Sequence, residues 1–417
     1  MKFTIYLFFL LFFSLSSYAG NGFRISLQGN QALAMGHTGV AVVNSAESAF
    51  FNPAALPYLS KKLNVSVGGF GSFGTTKWQE SNSETILDAE GNSVSSFYLY
   101  AAYKLNDWIS TGIAVYTPFI SNMEWQRDWQ GSHLINQMEI STVFFQPLLA
   151  LKLSKYFSVG GGPILATGNF SFNRNVDRSS IDENGTRSNI TYQESGTSNW
   201  GWSAGFLFSP TEDLKIGFNY RGEIDMDTND ASVIFSNFSE ASGISNTQVP
   251  FQSRIPLPAE LRLGFSYQIT NNFLFAFDYN RVFWETLDEV DINFDNENLN
   301  NTALPLNFKN SNTFRFGLQY NAMRNLIIRG GMFKQESPNT KGNLSPAFPN
   351  NDGQGYTSGI SVRINKHLTI DSSFIFVREK EITDTYKGYV ENGETIPFEG
   401  KYLSNLFAFG LGISYKL

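Results

Sequence analysis

Apolar and polar positions alternate with a period of two along most of this chain. In the last stretch, the odd positions from Phe407 to Leu417 are bulky and apolar, while the even ones are Ala408, Gly410, Gly412, Ser414 and Lys416. Leu261, Leu263, Phe265, Tyr267 and Ile269 oppose Arg262, Gly264, Ser266 and Gln268 in the same way. Phe273, Phe275, Phe277 and Tyr279 oppose Leu274, Ala276, Asp278 and Asn280, and Phe314, Phe316, Leu318 and Tyr320 oppose Arg315, Gly317 and Gln319. This pattern predicts strands with one oily face and one small or polar face, and long helical periodicity is missing. A soluble sandwich would turn the oily faces inward, whereas a transmembrane barrel turns them out to lipid and lines a lumen with the rest.

The connections decide between the two. Short turn signals fall at Asn106-Asp107, Ser154-Lys155, Ser209 to Asp213, Thr270 to Asn272, Asn321 to Asn325 and Asn365-Lys366. Long polar stretches run approximately over 74–96, 119–136, 175–195, 228–257, 296–308, 336–354 and 381–401. Short and long alternate strictly, which predicts about fourteen strands with short turns at one end and long loops at the other. A large sandwich or propeller has no reason to sort its loops this way. Closure into a cylinder also removes the unpaired edges that lipid cannot tolerate. The fold expected is therefore all-β, a 14-stranded antiparallel transmembrane barrel.

The N-terminus sets the compartment. Lys2, the apolar run from Ile5 to Leu15 and the small residues Ser17 and Ala19 read as a signal peptide over 1–19, cleaved after Ala19. The 417 residues contain no cysteine, so neither a disulfide framework nor a lipidated cysteine is expected. No later run is long enough for a membrane-spanning helix. The 39 Phe, 18 Tyr and 36 Gly suit a barrel with aromatic girdles. A net charge of −7 speaks against a nucleic-acid partner.

Residues 20–60 break the strand pattern. Gly22, Gly29, Gly36 and Gly39 read as turn points. Asn44-Ser45 with Glu47 suggests a helix N-cap, and that helix should stop at Phe51, before Pro53. Asn52 can cap a second short helix that has Pro53 at its first position. The segment is too small to fold alone, so it is read as a hatch inside the barrel of 61–417. A periplasmic stub is the alternative.

Gly22-Phe23, the run Ala34-Met35-Gly36-His37-Thr38-Gly39-Val40-Ala41 and above all Phe51-Asn52-Pro53-Ala54-Ala55-Leu56 resemble the outer-membrane transporters of long-chain fatty acids and aromatic hydrocarbons, the FadL/TodX (OMPP1) family. Tyr116-Thr117-Pro118-Phe119, the stretch from Trp125 to Trp129, and Met138-Glu139-Ile140-Ser141-Thr142-Val143 extend the resemblance. The terminal Leu417 departs from the usual terminal Phe. The resemblance implies a bacterial outer-membrane location, a hatch and gate at Asn52, Pro53 and Ala54, and a third strand kinked at Pro118 that opens the wall sideways. Pro147 and Pro163 also lie in strand-like runs, so proline content alone does not single out Pro118.

Candidate chemistry favours transport over catalysis. His37, His133 and His367 are scattered, there is no thiol, and no phosphate-cradling motif occurs, so no enzyme, cofactor or metal site is expected. An oily molecule needs help to cross the sugar layer of the outer leaflet. Phe119, Ile120, Met123, Trp125 and Trp129 form an unusually oily loop that either binds such a molecule or packs on neighbouring loops. Arg262 and Arg315 lie on the lumen parity. They are candidates for holding a fatty acid carboxylate, or else they pair with acids such as Asp278 or Asp371. The expected role is passive uptake of hydrophobic compounds, foremost long-chain fatty acids, by a monomer whose partners are those molecules and outer-membrane lipids. A barrel serving protein secretion or surface attachment, or a general porin, is the alternative.

Overall fold

The computed structural model describes residues 23–25, 27–81, 83–90, 93–240, 247–296 and 299–417. The expected signal peptide and its cleavage point lie outside them. Fourteen long strands follow in chain order: β1 (Leu63–Glu80), β2 (Ser93–Lys104), β3 (Ile109–Tyr116), β4 (Gln137–Lys152), β5 (Phe157–Asn175), β6 (Asn189–Phe208), β7 (Leu214–Arg221), β8 (Glu260–Thr270), β9 (Phe273–Val282), β10 (Ser311–Met323), β11 (Leu326–Gln335), β12 (Gly353–Arg363), β13 (Leu368–Glu379) and β14 (Phe398–Lys416). Each pairs antiparallel with the next. The cylinder closes where β1 pairs with β14, from Asn64 opposite Lys416 to Glu80 opposite Gly400.

All six short turns fall where the sequence placed them. The long loops are bounded differently. β1 continues to Glu80 and β14 begins at Phe398, inside stretches read as loop, because polar residues still alternate there on strands that rise above the membrane. The loops also hold strands of their own. Ser232–Ser236 pairs with β6 and with Gln248–Gln252, which pairs with Glu289–Phe294, which pairs with Thr302–Pro305. A second apolar cluster around Tyr192, Val233, Phe235, Phe251 and Ile292 holds this outer extension together.

The two faces separate as the parity requires. Leu263, Phe265, Tyr267, Phe314, Phe316, Leu318, Phe409, Leu411 and Ile413 are exposed on the outside of the barrel. Cross-strand aromatic pairs such as Phe277–Phe316 at 5.0 Å and Phe376–Phe407 at 4.7 Å knit this outer face together. Arg262, Arg315, Asp278, Ser266 and Ser414 are buried on the inner face.

The inner face is covered by residues 27–59. They form helix α1 (Asn30–Leu33), helix α2 (Ser48–Phe51) and a 3-10 turn over Pro53–Tyr58. Asn30 Nδ2 donates to Tyr98 Oη at 2.9 Å on β2, Gln31 Nε2 donates to Asp371 Oδ2 at 3.1 Å on β13, and Gly39 N donates to Asp278 Oδ2 at 2.7 Å on β9. Partners on well-separated strands tie the segment across the width of the lumen. Wall glycines admit its backbone closely. A Cβ at Gly217 would overlap the Val40 carbonyl, and one at Gly317 the Met35 carbonyl. Helix α2 stops at Phe51 as expected, but it starts at Ser48 and makes no side-chain cap of its own. Glu47 instead caps α1, accepting from Gln31 N at 3.1 Å and Ala32 N at 3.0 Å. A through-space cap of this kind leaves no trace in local spacing.

Candidate functional site

The third strand is interrupted where proline predicts it. β3 ends at Tyr116, opposite Phe144 of β4, and pairing with β4 resumes only at Ile120, opposite Ser141. Three residues on one side, Thr117 to Phe119, thus face two on the other, Thr142 and Val143, a bulge that shifts the register. Beyond it the short strand Ile120–Glu124 keeps its bonds to β4, and the β2–β3 ladder ends at Tyr98 opposite Tyr116. The outer part of β2, from Ser93 to Phe97, pairs with β1 alone among the described residues. Pro147 and Pro163 behave otherwise. They also interrupt a ladder, between β4 and β5, but the register on either side of them is the same.

The bulge is covered from within by residues 23–25, the start of the described chain. Ile25 N donates to Pro118 O at 3.1 Å, Ile120 N to Phe23 O at 3.2 Å, and Gln28 Nε2 to Thr117 O at 2.7 Å. A crevice of about 170 Å³ lies here, between Arg24, Ile25 and Leu27, the β1–β2 edge at Ser72, Gly74 and Val94, and Ile120 to Asn122.

Behind the bulge sits a buried ion cluster. Glu260 pairs with Arg24, with Arg262 at 2.8 Å and with Arg221 at 3.4 Å. Arg262 meets both carboxylate oxygens of Glu260 and also donates to Phe50 O at 3.0 Å, so its fork is engaged. Arg221 lies over the Phe119 ring at 5.2 Å. Arg315 donates to Gly36 O at 3.4 Å and lies over Phe333 at 5.0 Å. The acids expected as partners serve the hatch: Asp278 accepts Gly39 N and Val40 N, and Asp371 accepts from Gln31 and Ser414. Sequence reading missed Arg24, Arg221 and Glu260. Glu260 and Arg262, two apart on one strand face, carried the readable part of that signal.

The hatch motif is anchored rather than exposed. Asn52 Nδ2 donates to Val40 O at 3.0 Å and to Phe206 O of β6 at 2.9 Å, and its Oδ1 accepts Ala54 N at 3.2 Å. Pro53 and Ala54 are buried beside it, and Ser158 of β5 donates to Ala54 O. The oily loop turns inward. Trp125 and Trp129 stack at 4.5 Å, Trp129 meets Trp78 at 5.5 Å, and Phe119 and Met123 are buried. Among these five residues only Ile120 lines the crevice beside the bulge.

A mainly apolar cavity lies higher, under the outer extension. Its volume is about 390 Å³. Phe170, Phe172, Tyr192, Met226, Phe251 and Leu304 are among its apolar walls, and His133, Arg174, Tyr386 and Tyr389 gather at one side. Arg174 Nη1 donates to the carbonyls of His133, Asn175 and Val176 at 3.1 to 3.3 Å, and no carboxylate among the described residues pairs with it. Burial, reinforced by the cationic Arg178, pushes the His133 imidazole down to about 4. The signal for Arg174 was its parity: Phe170, Phe172 and Arg174 share one strand face.

A family model described as outer membrane protein transport protein (OMPP1/FadL/TodX) matches residues 11–417. The chain belongs to this family. Its members are outer-membrane transport channels and not enzymes, and this chain is an outer-membrane protein of the same kind. Outer membrane protein P1 of Haemophilus influenzae is 20% identical over 97% of this chain and 95% of its own length. The match to the 47 kDa outer membrane protein of Pasteurella multocida, 24% identical, spans 52% of this chain and 50% of that protein. Among solved structures, a Pseudomonas aeruginosa FadL homologue has a TM-score of 0.84 at 16% identity, covering 95% of this chain and 100% of that one. The Pseudomonas putida toluene transporter TodX has a TM-score of 0.70 at 14% identity, covering 96% of this chain and 99% of its own. These likenesses concern the fold.

Proposed function

We propose that this family member takes up long-chain fatty acids and passes them sideways into the membrane. The observation that carries the reading is the amphipathic cavity: about 390 Å³ of mainly aromatic and aliphatic wall, with a guanidinium at one side that bonds backbone carbonyls and, among the described residues, no carboxylate. That volume is within the roughly 300–1,000 Å³ of small-molecule sites, and a few convergent polar groups fix orientation in such sites. A carboxylate at Arg174 would gain a charge-assisted bond without displacing an internal acid. Arg262 is a poorer anchor, because a ligand would have to compete with Glu260. A simple hydrocarbon makes no use of the Arg174 charge, which then only ties the carbonyls of His133, Asn175 and Val176.

From the cavity, the ligand moves inward along the hatch and leaves at the bulge beside Pro118, where β2 pairs with β1 but not with the strand on its other side. Asn52, Pro53 and Ala54, which anchor the hatch to β5 and β6, act as its gate, and Phe119 and Ile120 border the exit. The oily loop side chains Met123, Trp125 and Trp129 support the outer roof. Uptake of labelled oleate into vesicles with and without the protein tests this reading. Saturable oleate uptake that toluene does not compete away supports a fatty acid substrate. Equal uptake by both kinds of vesicle refutes transport, and uptake of toluene without oleate refutes the substrate class.

A further inference from the structure

A second cavity, of about 520 Å³, opens on the other side of the same wall. On β5 the even positions Phe170, Phe172 and Arg174 face the apolar cavity, so Asn173 and Asn175 face out of the barrel. Gln137 of β4 lies opposite Asn173, and Asn189 of β6 lies opposite Asn175, on that same outer face. Lower on this face stand Phe145, Leu149, Trp200 and Trp202, all exposed, as lipid contact requires. From Thr167 to Asn173 the strand advances by roughly 20 Å at ~3.3 Å per residue, which a barrel tilt of about 40° turns into a rise of about 15 Å. The second cavity therefore lies on the outer face of the barrel, above the exposed Phe145, Leu149, Trp200 and Trp202, on the side of the long loops.

Its chemistry is that of amides and carboxylates. Asn136 Nδ2 donates to Asn173 Oδ1 at 3.1 Å and to Asn175 Oδ1 at 2.9 Å, and Asn189 Nδ2 donates to the same two oxygens at 3.2 and 3.3 Å. Asn173 Nδ2 donates to Thr191 Oγ1 at 2.7 Å, and Asn175 Nδ2 to Ser132 Oγ at 3.0 Å. The amide donors are thus spent within the network. Acceptors are in surplus: Asn136 Oδ1 is buried without a partner, and Glu90 and Glu124 line the cavity with Trp125. Three acids against Arg127 and Arg187 disfavour a phosphate. Among the described residues no cluster is suited to hold a metal ion. What complements an acceptor-rich, uncharged-to-acidic wall is a set of hydroxyl donors.

We infer that this outer pocket binds the sugar portion of an outer-leaflet glycolipid, with Asn136, Asn189, Gln137, Glu90 and Glu124 accepting or exchanging hydrogen bonds with hexose hydroxyls. The site is separate from the transport path. It would hold the barrel against its surrounding lipid with the polar extension clear of the hydrocarbon layer.

The test uses the full chain in nanodiscs and, as probe, the core oligosaccharide freed from rough-form lipopolysaccharide by mild acid. Calorimetry should give saturable binding that Asn189→Leu weakens at least tenfold, with oleate affinity unchanged. Should Asn189→Leu fail to fold, Gln137→Leu, which lies outside the amide network, should weaken the probe at least threefold. Native mass spectrometry should find intact lipopolysaccharide retained by the parent protein and lost from the variant. Absence of saturable binding overturns the inference, as does equal binding by parent and variants. Tighter binding of a soluble glucan such as maltoheptaose than of the core oligosaccharide would overturn the assignment to a membrane glycolipid.

Discussion

Replacing Asn52 by alanine should loosen the hatch while leaving the cylinder intact. The side chain makes three hydrogen bonds, to Val40 O within the hatch, to Phe206 O on the wall and from Ala54 N at the start of the 3-10 turn. It is fully buried, so no water replaces it. At about 1 kcal/mol each the loss is about 3 kcal/mol, and more if the two carbonyls stay unsatisfied. Every ~1.4 kcal/mol is a factor of ten, so local opening should become about a hundredfold more frequent. The amides of Asn52, Ala55 and Leu59, each bonded within the hatch, report it by hydrogen exchange in nanodiscs. Ladder amides of β10 and β11 serve as the internal control. Planar-bilayer recording should show brief ion-conducting events that the parent lacks. If the hatch amides exchange at the parental rate, the anchoring argument is wrong. If β10 and β11 speed up equally, the bond energy is spread through the barrel rather than held locally.

Pro118→Val should slow oleate delivery several-fold without weakening oleate binding; parallel loss of both would remove the side exit. Arg174→Gln should weaken oleate binding by about tenfold, the worth of a charge-assisted bond, and leave toluene binding unchanged; an equal effect on both would discard Arg174 as the carboxylate anchor. The His133 ring is held neutral, its value lowered from 6.5 to about 4, so the loop cluster around it is fully stable above about pH 6.5 and weakens as pH falls towards 4. Oleate affinity measured across that window should fall with acid, and His133→Phe should flatten the profile; an unchanged slope in the variant would assign the effect to another group. Glu260→Gln leaves Arg24, Arg221 and Arg262 together without their shared carboxylate and should cost about 3–5 kcal/mol, read as a lower thermal transition in detergent; an unaltered transition would mean the cluster contributes nothing to folding.

Much of the architecture was legible because a membrane barrel writes its geometry in a period of two. Leu261 to Ile269 and Phe407 to Leu417 declared their outer faces by parity, and short turns such as Asn365-Lys366 declared the closed end of each hairpin. Loop limits were less legible, since β4 to β6 continue above the membrane with polar residues on the face that lipid would otherwise make oily. Asn52 as a cap and Pro118 as a break were readable as local backbone chemistry. The caps supplied by Glu47 and Asp278, and the joining of Arg24 to Glu260, depend on residues far apart in the chain, and nothing local encodes them. Trp125 and Trp129 show the converse difficulty: oiliness in a loop does not say whether a ring faces solvent or its neighbours, and here the rings stack beneath the roof.

The seam between the first and last strands has a gauge built into it. Lys416 Nζ reaches Asn44 O, Ser414 bonds Asp371 beside Gln31, and Gly410 and Gly412 leave room for Asn30. Sliding β14 by one residue would swing Leu411 and Ile413 into the lumen and send these small groups out to lipid. The inserted segment thereby measures whether the first and last strands of the barrel have met in the correct alignment, and a misaligned closure would leave it nowhere to sit.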